Sequence, residues 1–248
     1  MKVLLTGSSK GIGYEIAKDL KAEGHMLALH YNKNESTLEA LLKEDNTGSF
    51  SIQADLSQQE EVKKMVVNTI DKLSFPDCII NNAGIAESAN ISLDINNWSN
   101  MFDKTIDVNL KAPSLIFKEF LKYKREKKIS SRLRIINIAS RAAFRGEQQD
   151  YISYACSKGG IISLTKTMSR SFGERDNIVA ISIAPGFVRT EMAQSFIDKH
   201  GEEAIKQGIT LDRLTEPKDI SPIILSLIHI SEPTRRRGMG VCGVGVEK

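Results

Sequence analysis

Short apolar runs alternate with longer amphipathic stretches along this chain. The runs are Val3–Leu5, Met26–Leu29, Ser49–Gln53, Asp77–Ile80, Leu133–Ile138 and Ile178–Ile183. Four of them are nearly unbroken Val, Ile and Leu, as parallel strands covered on both faces require. Between them the periodicity predicts helices over Ile12–Glu23, Glu35–Lys43, Gln58–Leu73, Trp98–Lys124 and Ser153–Phe172. Gly24 and Gly173 follow the first and last of these, where helix stops are expected. Strand–helix alternation of this kind predicts one α/β domain: a single Rossmann-type, doubly wound parallel sheet with helices on both faces.

The pattern changes near the end. A helix after Glu216-Pro217 is expected to reach about Leu227. Beyond it come Ile228-His229-Ile230-Ser231-Glu232-Pro233-Thr234, three arginines, and a stretch with four glycines in eight residues from Gly238 to Gly245. Glycine at that density weakens a strand or a helix. The last strand of the sheet is therefore expected to be missing or replaced, which would leave the strand at 178–183 as an open edge. Residues 226–235 resemble translated sequencing-adapter read-through. The expectation is one domain over 1–227, with 228–248 an atypical tail that is a sequencing artefact, a divergent native tail being the alternative.

Composition narrows the classes little further. Among 248 residues, 41% are hydrophobic and 26% charged, an ordinary globular balance. The net charge of +3 lies largely in the tail, where Arg235, Arg236, Arg237 and Lys248 face Glu232 and Glu247. No nucleic-acid partner is expected from a near-neutral body. No run of about 18 apolar residues predicts a membrane span, and the chain enters a strand at once, leaving no room for a signal peptide. The cysteines, Cys78, Cys156 and Cys242, are odd in number and far apart, so neither a disulfide frame nor a metal site is expected. A cytoplasmic location is the expectation.

The chemistry begins after the first strand, at Thr6-Gly7-Ser8-Ser9-Lys10-Gly11-Ile12-Gly13. Glycines at 7, 11 and 13 allow a tight turn and close approach of a pyrophosphate, and the following helix offers free N–H groups and a partial positive charge. A tight turn without ligand would use the same residues. The spacing Gly-x-x-x-Gly-x-Gly resembles the cofactor loop of the short-chain dehydrogenase/reductase family.

An NAD-binding sheet usually places an acid at the end of its second strand. Here that strand ends in His30-Tyr31-Asn32-Lys33, and Glu35 comes late. A 2′-phosphate would instead be stabilised by basic and amide groups. NADP(H) is therefore expected, with NAD(H) the alternative, and Lys10, Asn32 and Lys33 are placed near that phosphate.

Tyr154 and Lys158 lie four apart on a predicted helix and share a face. An ammonium one turn away favours the phenolate and is expected to lower the tyrosine pKa from its usual 10. A bare Tyr-x-x-x-Lys is also a common surface spacing. Ser140 closes the fifth strand, where such sheets hold substrate, and its hydroxyl suits a carbonyl oxygen, although a helix cap would use it equally. Asn81-Asn82-Ala83-Gly84 follows the fourth strand, with asparagines suited to tying strand ends and a small pair suited to close cofactor approach.

These segments come in the family's order over about residues 1–227, and within the family the chain is most similar to the 3-oxoacyl-acyl-carrier-protein reductase group. The resemblance implies Asn109, Ser140, Tyr154 and Lys158 as catalytic residues, Asn109 holding a helix kink and a water that relays protons. It implies cofactor contacts from Gly7, Ser9, Lys10, Gly11, Ile12, Gly13, Tyr31, Asn32, Asp55, Leu56, Asn82, Ala83, Gly84, Tyr154, Lys158, Pro185, Gly186, Val188 and Thr190, with Asp55 near the adenine. The implied reaction is NADPH-dependent reduction of a small-molecule carbonyl, with Tyr154 as proton donor. Oxidation of an alcohol, sugar or steroid on the same scaffold, and a non-catalytic dinucleotide sensor, are the rival readings. A homotetramer or homodimer is implied. Ala142–Tyr151 and a lid over Glu191–Leu214 are expected around the substrate, with Phe144, Arg145, Tyr151 and Phe187 as candidate lining.

Overall fold

The computed structural model describes residues 1–206, 212–229 and the strand at 241–244. Six strands follow the apolar runs: β1 (Lys2–Leu5), β2 (Met26–Tyr31), β3 (Phe50–Gln53), β4 (Cys78–Asn81), β5 (Leu133–Ile138) and β6 (Ile178–Pro185). A seventh, β7 (Val241–Val244), completes a parallel sheet of order β3-β2-β1-β4-β5-β6-β7.

Alternation along the strands feeds two cores. On one face Leu4, Ala28, Ile79, Ile135 and Ala180 pack against α3 (Gln59–Leu73) and α5 (Ala112–Glu126). On the other, Val3, Leu5, Leu27, Leu29, Ile80, Ile136 and Ile183 meet α1 (Gly11–Ala22), α2 (Ser36–Leu42) and, from the end of the chain, α10 (Pro217–Ile228). Burial on both faces is why these strands read as continuous apolar runs.

The predicted helix 98–124 is longer and interrupted. It begins at Asp94, whose carboxylate accepts the N–H groups of Asn96 and Asn97, both at 3.1 Å. It runs as α4 (Ile95–Ile106), widens to a π-turn over Asp107–Lys111, and continues as α5. Pro113 in the first turn of α5 has no N–H to give, and its ring would crowd the carbonyl of residue 109. The wide turn accommodates both.

Helix α7 (Ile152–Asp176) passes through Gly173, so the expected stop there is corrected. The helix ends instead where Arg125 grips the Asp176 carboxylate through Nε and Nη2 at 2.7 and 2.8 Å and Asn177 turns left-handed at φ 52°. The last strand is replaced rather than missing. The glycine-rich tail pairs Val241–Val244 with Ser182–Pro185, so the open β6 edge expected from its loss is corrected. A parallel ladder is made by backbone groups, which Gly243 supplies as well as any residue. Helix α10 includes Ile228, which is buried. The expectations for 230–240 and 245–248, the arginine triplet among them, lie outside the described residues.

Candidate active site

Strands β1 to β6 point their C-terminal ends at one cleft of about 1350 Å³. Its floor is the loop from β1 to α1. Gly7 and Gly11 are left-handed, at φ +66° and +55°. A Cβ on Gly7 would lie 2.8 Å from the Ala83 Cα, and one on Gly13 only 2.1 Å from the Gly7 carbonyl oxygen. Gly13 thus packs the loop from behind, while Gly7, Ser9, Lys10, Gly11 and Ile12 line the cleft. Helix α1 has no side-chain cap and no acid in its first turn, so its leading N–H groups are left for an anion. Asn82 braces the loop from β4, its Nδ2 donating to the carbonyls of Thr6 and Gly7 at 3.0 and 2.9 Å. The Thr6 hydroxyl accepts the N–H groups of Asn82 and Ala83 at 3.0 and 3.1 Å. The cradle a side chain would fill, beside an uncapped helix, fits a dinucleotide pyrophosphate.

At one end of the cleft lie Asn32, Lys33, Asn34, Thr37, Asp55 and Leu56. Tyr31 does not line it. That residue is buried in the core, and its hydroxyl donates to Glu35 at 2.7 Å. Alternation explains the correction: adjacent strand residues face opposite sides. Glu35 also accepts the Ser51 hydroxyl, and these two donors hold its carboxyl below the usual range. The first acid after β2 is therefore engaged outside the cleft lining. Lys10 crosses the cleft mouth to Glu191, 2.8 Å away, both side chains being exposed.

The other end gathers Ser140, Tyr154 and Lys158, with Pro185, Gly186, Val188 and Thr190 beside them. Lys158 is 4% exposed, and its ammonium donates to the Ile138 carbonyl at 2.8 Å. Burial holds its pKa down, to about 8. Burial also raises the Tyr154 pKa, with the Ser140 hydroxyl pulling the other way. The expected lowering of the tyrosine is thus reversed: desolvation of the phenol outweighs the Ser140 hydrogen bond. The Ser140 hydroxyl also accepts the Ala142 N–H at 3.2 Å, just ahead of the short helix α6 (Ala142–Arg145).

Asn109 stands behind the lining, in the π-turn. Its Oδ1 accepts the Ile85 N–H and its Nδ2 donates to the Ile85 carbonyl, both at 2.8 Å, and to the Ser157 hydroxyl at 3.0 Å. A Cβ on Gly84 would lie 3.3 Å from Asn109 Oδ1 and 3.4 Å from Lys158 Nζ, so a side chain there would crowd both. Arg145, Tyr151 and Phe187 line the cleft; Phe144 is exposed and does not. The lid region forms α8 (Glu191–His200) and α9 (Glu202–Lys206), with Ile197, Ile205 and Leu214 in a small core of their own. Residues 207–211 lie outside the described ones.

Two site residues were missed from sequence. Ser157 links Asn109 to α7, and nothing in its spacing marks it. His30 lines the cleft and bonds the glycine loop; a titratable residue inside an apolar strand was the available signal. Glu23, His25 and His229 also cluster, at the opposite end of the sheet, where the Glu23 carboxylate lies 3.0 and 3.2 Å from the two imidazoles.

The model of the short chain dehydrogenase family matches residues 1–201. The chain belongs to the short-chain dehydrogenase family. It is 31% identical over 227 residues to the 3-oxoacyl-[acyl-carrier-protein] reductase FabG of Staphylococcus epidermidis, covering 90% of this chain and 89% of that one. The corresponding protein of Rickettsia conorii is 35% identical over 228 residues, covering 90% and 87%. Among solved structures, a 4-hydroxyisoleucine dehydrogenase complexed with NADH superposes with a TM-score of 0.84 at 30% identity, over 98% of this chain and 97% of that one. An actinorhodin polyketide ketoreductase variant with NADPH gives 0.79 at 25%, over 92% and 89%. This short-chain dehydrogenase is a nicotinamide-dependent oxidoreductase of carbonyl reduction, similar to the 3-oxoacyl reductase group. Among the described residues no helix is long and apolar enough to cross a membrane.

Proposed function

We propose that this enzyme reduces a 3-oxoacyl-thioester-like ketone with NADPH, Tyr154 giving the proton. One observation carries the reading: Tyr154, Ser140 and Lys158 converge at one end of the cleft whose floor is the glycine cradle. The bound dinucleotide would supply the hydride. Ser140 would hydrogen-bond the substrate oxygen as charge develops on it, and Tyr154 Oη would release its proton to that oxygen. Lys158, anchored on Ile138, would hold the nicotinamide ribose and supply positive charge beside the phenol. Asn109, bonded to Ile85 and Ser157, would keep the helix open for the proton's return path.

The preference for NADPH rests on the engaged Glu35 and on Asn32 and Lys33 at the cleft end. Consumption of NADPH and of NADH should be compared across a ketone panel that includes β-ketoacyl thioesters. Faster consumption of NADPH with the thioesters is the expected result. Faster oxidation of a hydroxy compound with NAD+ as hydride acceptor would favour the reverse, dehydrogenase reading. In Tyr154→Phe, turnover should fall by about 10³-fold or more while NADPH binding is kept. Retained turnover would overturn the assignment.

A further inference from the structure

His30, next to last in β2, is only 3% exposed, and its ring reaches two other segments. Nδ1 lies 3.0 Å from the Gly7 N–H and Nε2 lies 3.0 Å from the Ala54 carbonyl. A carbonyl only accepts, so Nε2 carries the proton and Nδ1 is left as an acceptor for Gly7. The His30 main-chain carbonyl accepts both the N–H and the hydroxyl of Ser8, each at 2.9 Å. The imidazole is thus a strut across the end of β2, joining the loop after β1 to the turn after β3. Gly7 is held at both of its polar groups: its N–H by His30 and its carbonyl by Asn82. Its left-handed φ of +66° sets the curvature of the loop. Burial keeps the ring neutral against the pull of Asp55, so the acceptor persists at neutral pH.

We propose that His30 is a positioning residue for the dinucleotide, its unprotonated Nδ1 fixing the Gly7 peptide and hence the shape of the pyrophosphate cradle. The proposal rests on reading Gly7–Gly13 as that cradle. Two variants of the full chain separate the arms of the strut. Asparagine places an acceptor where Nδ1 sits; glutamine places a donor where Nε2 sits. NADPH affinity by calorimetry should stay within about twofold of the parent in His30→Asn. In His30→Gln it should weaken about tenfold, the loss of one buried hydrogen bond, with kcat little changed. A His30→Gln chain that binds as tightly as the parent, or a His30→Asn chain as weak as His30→Gln, overturns the proposal. A parent chain that binds neither NADPH nor NADH overturns the cradle reading itself. Should the glutamine chain not fold, hydrogen exchange of the Gly7 amide in the free parent decides: protection supports the strut, and exchange at an open-loop rate overturns it.

Discussion

The Lys158 ammonium donates its one hydrogen bond among the described contacts to the Ile138 carbonyl, 2.8 Å away, while Nζ stands 5.6 Å from the centre of the Tyr154 ring. Lys158 is buried and Tyr154 half-buried, and desolvation disfavours each charged form: the lysine falls to about 8 and the tyrosine rises. With Tyr154 as the proposed proton donor and Lys158 as the charge beside it, reduction would need both groups protonated. The rate of reduction should therefore be level through neutral pH and fall as pH climbs past about 8, where Lys158 loses its charge. Oxidation would need the phenolate, which the raised tyrosine yields only at higher pH, so it should gain nothing over that range. Profiles of kcat/KM against pH in both directions check this; a reductive limb that rises through pH 8–9 would contradict it.

The same burial predicts a trade of stability for activity. The folded pKa of Lys158 lies below its unfolded value of 10.5, so the unfolded chain binds more protons between about 8 and 10.5. This group's cost to stability is full below pH 8 and is relieved as pH rises through that window. Removing the charge in Lys158→Met should raise the unfolding free energy at pH 7, by up to about 3 kcal/mol, and abolish turnover. Thermal unfolding at pH 7 and at pH 10 measures both sides: the gain should shrink at the higher pH. A variant less stable than the parent at both would show that the Ile138 bond, not the charge, dominates.

The cofactor end makes a separate prediction. Asn32 lines the cleft where the first acid, Glu35, is turned to Tyr31 and Ser51. In Asn32→Asp a carboxylate faces the ribose position; it would repel a 2′-phosphate and accept a 2′-hydroxyl. The ratio of kcat/KM for NADPH over NADH should drop by about tenfold or more, the scale of one misplaced charged hydrogen bond. An unchanged ratio would place the adenosine elsewhere.

Residues whose role is local were legible in the sequence, and those defined by contact were not. The strands, the glycine loop and the Tyr154–Lys158 face follow from periodicity and spacing, so they are where the pattern places them. Tyr31 is not, because one step along a strand reverses a side chain. His30 and Ser157 act through partners 23 and 48 residues away in the chain, Gly7 and Asn109, and no short-range pattern encodes such pairs. The stop at Gly173 was misread because a helical glycine is tolerated when the Arg125–Asp176 pair holds the turn beyond it. Helices α8 and α9 pack on a small core of their own, defined by contacts rather than by a local pattern.

Glycine's part in the cradle can be tested against a neighbour that lacks it. In Gly13→Ala the new methyl would meet the Gly7 carbonyl oxygen at 2.1 Å and Asn82 Nδ2 at 2.5 Å, so the loop and its brace must both shift. Overpacking of this kind costs about 1–3 kcal/mol, and the same shift moves the atoms that receive the pyrophosphate. Gly159, inside α7, is the control: outside its own helix, a Cβ there meets only the Ala143 carbonyl, at 3.9 Å, among the described residues. Gly159→Ala should stabilise by about 0.5–1 kcal/mol, since alanine is the better helix former, and leave NADPH affinity unchanged. Gly13→Ala should lower the unfolding midpoint and weaken NADPH binding more than tenfold. Calorimetric titration and thermal unfolding of the two chains decide it, and a Gly13→Ala chain that binds NADPH like the parent would mean the loop yields without losing its shape.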